Sequence, residues 1–281
     1  MKFLPKAGIK SNSFIWSLFI VQKQLFEKFV NWFDEYVAGF YGSDEFVNEN
    51  IKLKEDHSRR VCSEMQFLVD RLNLTDEQKA VARIVALFHD IGRFEQFKKY
   101  RTYNDHKSVD HSQHGLQVIR QHRLLGEIDS TTKQIIEKSI AYHNLMELPE
   151  DLSGELLLQA RLIRDADKLD IFYIVIQYYK KIKQDPEAFR LEVELPDNDS
   201  YSEKVLNKVL TGQRINYRDL HNWNDMKLCQ LSWIYDINFQ PTFERIREKQ
   251  YLQKIISILP SDSHIQALKE HVLRYVDKKT G

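Results

Sequence analysis

Apolar residues recur three and four positions apart through most of this chain, and no alternating run of β-branched residues reaches convincing strand length. Spacings of that kind line one face of an α-helix, whereas a strand needs a period of two. Leu25, Phe26, Phe29, Phe33 and Val37 make one such row within residues 22–40, which ends near Gly39. Val61, Met65, Leu68 and Leu72 make a second within 56–72. Thr75, with Gln78 three positions on, has the pattern of a capping box and opens a helix running through Val81, Ile84, Val85 and Leu87 to His89. Further helices are predicted over 109–124, 131–145, 154–182, 200–211, 224–238, 243–258 and 262–276. Nine glycines and six prolines in 281 residues leave little to interrupt them. The expected fold class is all-α, a helical bundle with an appended C-terminal helical section.

The turn formers Asp185-Pro186 and Pro196-Asp-Asn-Asp199 mark the strongest candidate boundary. They divide the chain into an N-terminal extension (1–21), a helical domain (22–183) and a C-terminal section (184–281). Residues 191–195 (Leu-Glu-Val-Glu-Leu) alternate and predict a short strand. Lysine plus arginine equals aspartate plus glutamate at 41 each, so the basic excess of a non-specific nucleic-acid binder is missing. Two cysteines, Cys62 and Cys229, supply neither a zinc pair nor a disulfide framework and suit a reducing compartment. The apolar stretch Phe14–Val21 falls far short of the roughly 20 residues that cross a bilayer, and no small-residue cleavage site follows it. A cytoplasmic protein without a membrane span is expected.

The sharpest chemical signal is His89-Asp90 at the end of the apolar run Val81–Phe88, with Gly92 following to let the backbone pass closely. A carboxylate carried inward by an apolar helix is costly unless a positive charge meets it, and a divalent cation would. His57 shares a row with Val61, Met65 and Leu68. Asp167 lies between Ile163 and Ile171 in a strongly apolar helix, so it too points inward. Each has a bland explanation alone, as a core histidine, a helix cap or an arginine-paired acid; together they make a metal site the better reading.

These residues resemble the HD superfamily of metal-dependent phosphohydrolases, named for a His … His-Asp … Asp signature on successive helices. The elements here are His57 in His-Ser-Arg-Arg-Val, His89-Asp90 in Leu-Phe-His-Asp-Ile-Gly-Arg, and Asp167 in Asp-Ala-Asp-Lys-Leu-Asp. The resemblance spans about residues 22–180 and implies an HD-domain helical bundle. Two-metal members use additional histidines, which points to His111 in Asp-His-Ser-Gln-His-Gly and to His143, on an inward face with Ile136 and Ile140. On that reading His57, His89, Asp90 and Asp167 hold one ion, while His111 and His143 hold a second with Asp90 bridging. His114, one turn beyond His111, is an alternative ligand or a residue that touches substrate. An all N/O donor set suits Mn, Fe, Co, Ni, Zn or Mg.

The implied activity is hydrolysis of a phosphoester, a nucleotide or related phosphorylated small molecule, by metal-activated water. Asp90 would orient that water. Arg93, where many relatives carry a basic residue, would contact phosphate, and Lys168 beside Asp167 is a further candidate, although a salt-bridged lysine explains it equally well. The aromatic and basic stretch 94–110 would form a loop gating the pocket, and 213–223 would cover it as a lid. Two other functions share the ligand set: a di-iron oxygenase of the same fold, and a nucleotide-sensing module without turnover. The Gly-Tyr-Pro tripeptide of the cyclic-dinucleotide phosphodiesterases is absent after His143. Homo-oligomerisation is left open.

Overall fold

The computed structural model describes residues 11–184 and 195–281. Among them every regular element is helical. Nothing between Ser11 and Ala38 breaks a helix, and α1 occupies that whole span, starting well before residue 22. α2 is Glu45–Val69, capped by Asp44, whose side chain accepts from the Val47 backbone N–H at 3.1 Å. Its start lies upstream of the expected one because Val47 and Ile51 continue the buried row of Val61, Met65 and Leu68. α3 (Asp76–Phe88) opens with the expected reciprocal box between Thr75 and Gln78.

α4 (Gly92–Tyr100) corrects the expectation of a loop over 94–110. Phe94 and Phe97, three apart, are both buried in the core, and only residues 101–110 remain as a connection. α5 (His111–Gln121) begins where the Asp110 carboxylate accepts from the N–H groups of Ser112 and Gln113 at 2.9 and 3.1 Å. α6 is Ser130–Tyr142 and α7 is Gly154–Gln184. The 31 residues of α7 extend ~46 Å at 1.5 Å per residue. From Ala160 to Phe172 it is buried almost all round, as a helix at the centre of a domain must be.

The remaining helices are α8 (Glu203–Leu210), α9 (Trp223–Ser232), α10 (Gln240–Glu248), α11 (Tyr251–Ile256) and α12 (Ser263–Thr280). Two of the expected helices are divided. A 3-10 turn, Trp233–Asp236, follows α9, and Gln250 in a left-handed conformation (φ 54°) separates α10 from α11. α7 packs against α2, α3 and α6 on one side and against α10 and α11 on the other, and α12 ties α8, α10 and α11 together. One continuous apolar core runs from Phe29 and Phe33 of α1 to Val272 and Val276 of α12. The strand expected over 191–195 lies, but for Leu195, outside the described residues. No helix among the described residues is long and apolar enough to cross a membrane.

Candidate metal centre

Five helices direct six side chains to one buried point. His57 comes from the middle of α2 and Asp167 from the middle of α7. His89 and His143 are the residues that terminate α3 and α6, Asp90 follows His89, and His111 is the first residue of α5. The four histidines and Asp90 are each no more than 6% exposed.

Asp90 divides the group in two. Its Oδ2 lies 3.4 Å from His57 Nε2 and 3.8 Å from His89 Nε2. Its Oδ1 lies 3.4 Å from His111 Nε2 and 3.7 Å from His143 Nε2. Asp167 joins the first half, with Oδ1 3.2 Å from His57 Nε2 and 3.8 Å from His89 Nε2. The two triads His57–His89–Asp90 and Asp90–His111–His143 each bring their donor atoms within metal-ligating reach of one another.

The opposite ring nitrogens explain why these donors converge. His57 Nδ1 lies 2.7 Å from Asp170 Oδ2, and His111 Nδ1 lies 2.6 Å from Asp105 Oδ2. His89 Nδ1 and His143 Nδ1 each face the carbonyl three residues back, Ala86 at 2.8 Å and Ile140 at 2.7 Å. Those carbonyls belong to the last turns of α3 and α6, where acceptors are left over at a helix end, and Ile140 O also accepts from the His143 backbone N–H at 3.5 Å. Each Nδ1–H therefore donates, and in the neutral ring each Nε2 presents a lone pair. His57 Nε2 stands 3.3 Å from His89 Nε2, and His111 Nε2 stands 3.1 Å from His143 Nε2. At the His111–His143 pair two neutral rings bring lone pairs face to face, an arrangement that a cation between them relieves. Four imidazole nitrogens and two carboxylates make a donor set that fits divalent ions, with the supporting carboxylates and carbonyls that metal-bound histidines usually have.

Charge around the centre is densely compensated. Lys54, one turn before His57, places Nζ 2.8 Å from Asp90 Oδ2. Arg60 donates to Asp170 through Nε at 2.6 Å and Nη2 at 3.1 Å, fixing the acid that holds His57. Burial pushes the His89 and His111 imidazoles down to about 4, with Arg93 adding to the effect at His111. At His57 burial and Lys54 act in the same downward sense, but Asp167, Asp170 and Asp90 outweigh them and raise it to about 10. Burial would raise Asp90, yet Lys54 first and the histidines after it hold its carboxyl well below the usual range.

The three other residues singled out in the sequence lie beyond the two triads. Arg93 Nη1 is taken up by Gln96, Tyr103 O and Asp105 at 2.9, 2.7 and 2.8 Å, and its Nε stands 3.5 Å from Asp90 Oδ1. It thus holds the acid behind His111 and forms an ion pair, without a hydrogen bond, to Asp90. Lys168 Nζ lies 2.6 Å from Asp236 Oδ2. His114 pairs with Glu95 at 2.8 Å. Lys54, Arg60, Asp105 and Asp170 were not anticipated. Lys54 and Asp170 stand three residues from His57 and Asp167 on the same helices, a spacing that marks neighbours on a helix face. Asp105 lies in the 101–110 connection and carries no comparable signal.

No curated protein and no solved structure matches the chain. Against models of known families, residues 55–171 match the HD domain, and that span contains His57, His89, Asp90, His111, His143 and Asp167. Residues 55–171 are thus an HD domain, and members of the HD superfamily are generally metal-dependent phosphohydrolases.

Proposed function

We propose that the chain is a metal-dependent phosphohydrolase that binds two divalent ions and hydrolyses a phosphoester of a nucleotide or related phosphorylated small molecule. His57, His89, Asp90 and Asp167 hold one ion; Asp90, His111 and His143 hold the other. The observation that carries this reading is the orientation of Asp90, one carboxylate oxygen toward each histidine pair. Ions bound there supply a water of lowered pKa and neutralise charge on the phosphoryl oxygens.

The protein's own groups do the rest. The four Nδ1 bonds keep the rings oriented with Nε2 inward. Lys54, 19% exposed and beside Asp90, offers an ammonium to a phosphoryl oxygen entering from solvent. Arg93, its Nη1 already engaged by protein acceptors, acts by orienting Asp90 and Asp105 rather than by gripping substrate. Both cysteines are free, in keeping with a cytoplasmic enzyme.

The test is elemental analysis of the purified wild type and of Asp90→Ala. Phosphate release from nucleoside mono- and triphosphates is followed alongside, with oxygen uptake monitored. About two equivalents of metal in the wild type, lost in the variant together with phosphate release, is the expected result. Oxygen consumption without phosphate release would replace the hydrolase with an oxygenase. No bound metal after reconstitution with Mn, Fe, Co, Ni, Zn and Mg in turn would overturn the enzyme reading.

A further inference from the structure

Asp236, at the end of the 3-10 turn after α9, gathers three cations although it is a single carboxylate. Its Oδ2 lies 2.6 Å from Arg164 Nη2 and 2.6 Å from Lys168 Nζ, and its Oδ1 accepts from Arg214 Nη2. Arg164 has other obligations. Its Nη1 donates to His143 O at 3.2 Å and to Leu145 O, closing the C-terminal end of α6, where a positive charge is favoured by the helix dipole. Asp165, the other acid near Lys168, is fully buried and accepts from Asn238, Phe239 and Thr242. Arg164, Lys168 and Arg214 therefore share one carboxylate, an excess of positive charge that solvent reaches at Lys168 and Arg214, which are 14% and 29% exposed.

The donors are also under-used. A guanidinium has five N–H groups and an ammonium three. Among the described residues Arg214 engages only Nη2, and Lys168 engages Asp236 and, at 3.4 Å, Arg164 O. Their position ties them to the metal centre. Lys168 follows Asp167, and Arg164 grips the carbonyls just after His143.

We propose that Lys168 and Arg214, organised by Asp236, form a second anion subsite that takes a phosphate group other than the one hydrolysed. The substrate class this selects is small molecules with two phosphate groups, and the C-terminal section, outside the HD match, is the source of that selectivity. The subsite's use in turnover rests on the phosphohydrolase reading; its affinity for phosphate does not. The spare donors of Arg214 supply the paired geometry that phosphate oxygens accept.

Inorganic pyrophosphate titrated into the chelator-treated full-length chain at low salt, followed by calorimetry, tests it. The expected result is one site, weakened by added salt and by about tenfold or more in Arg214→Gln. A thermal melt establishes that the variant is folded, and Lys54→Gln is titrated in parallel to mark binding at the other side of Asp90. No binding to the wild type, equal binding to Arg214→Gln, or a loss confined to Lys54→Gln would overturn the proposal. Because no metal is present, an inactive enzyme would leave a positive titration standing, and a failed titration would leave the hydrolase reading standing.

Discussion

Asp105 and Asp170 perform the same task on opposite sides of Asp90, each accepting from the Nδ1–H of one histidine and each held by an arginine. Loss of such an outer partner commonly lowers metal affinity about 10- to 100-fold. Asp170→Asn is expected to weaken the ion held with His57, and Asp105→Asn the ion held with His111, by about that factor. Competition against a chromogenic chelator checks this, and equal effects of both substitutions on both ions would contradict the division. His57, His89, Asp90 and Asp167 were legible in the sequence because each interrupts an apolar row or ends one. Lys54, Arg60 and Asp105 were not. A lysine or arginine on a helix reads as solvated until the fold brings a buried acid to it, and Asp105 owes its role to the path of a connection.

Helices α4 and α5 meet where there is no room for a side chain. A Cβ on Gly92 would stand 2.5 Å from Gly115 N and closer still to His111 O, both backbone atoms that no rotamer change can move. Gly92→Ala should push the start of α5 away from Asp90, costing about 1–3 kcal/mol and weakening metal binding. Chemical denaturation and metal titration measure the two effects, and an unchanged stability would mean that the helices slide apart freely. The glycine was visible in the sequence, but its neighbour was not. α4 itself escaped notice because Gly92–Tyr100 reads as charged and polar, with Phe94 and Phe97 its main buried anchors. The break at Gln250 had no glycine to announce it. A second joint links α7 to α10. The Asp165 carboxylate accepts from Asn238 N and Phe239 N at 3.1 Å and from Thr242 Oγ1 at 2.7 Å, satisfying donors at the start of α10. Asp165→Ala leaves those donors buried and is expected to cost about 3 kcal/mol in urea unfolding, with metal stoichiometry unchanged.

Across the whole molecule the apolar core continues from α1 to α12, so the HD domain and the C-terminal section share one interior. A ligand that binds only the folded state stabilises it by about 4 kcal/mol at a thousandfold excess over its Kd. Loading the chelator-treated protein with its preferred ion should therefore raise Tm by several degrees, and Asp90→Ala should abolish the rise. A rise that survives in the variant would place the stabilising ion elsewhere. The all-helical class was readable because periodicity is local. How the C-terminal section lies on α7 was not, since Asp165 and Asp236 find their partners only after the chain has doubled back.

The acid that steadies His57 lies 113 residues further along the chain. During synthesis His57, His89 and Asp90 leave the ribosome well before α7 exists, and until then they lack Asp167 and the acid that holds the His57 ring. On the two-ion reading, the ion assigned to His57, His89, Asp90 and Asp167 would be acquired late, timed by the arrival of a single helix, and a nascent chain stalled before Asp167 should lack that ion while Asp90, His111 and His143 are already made.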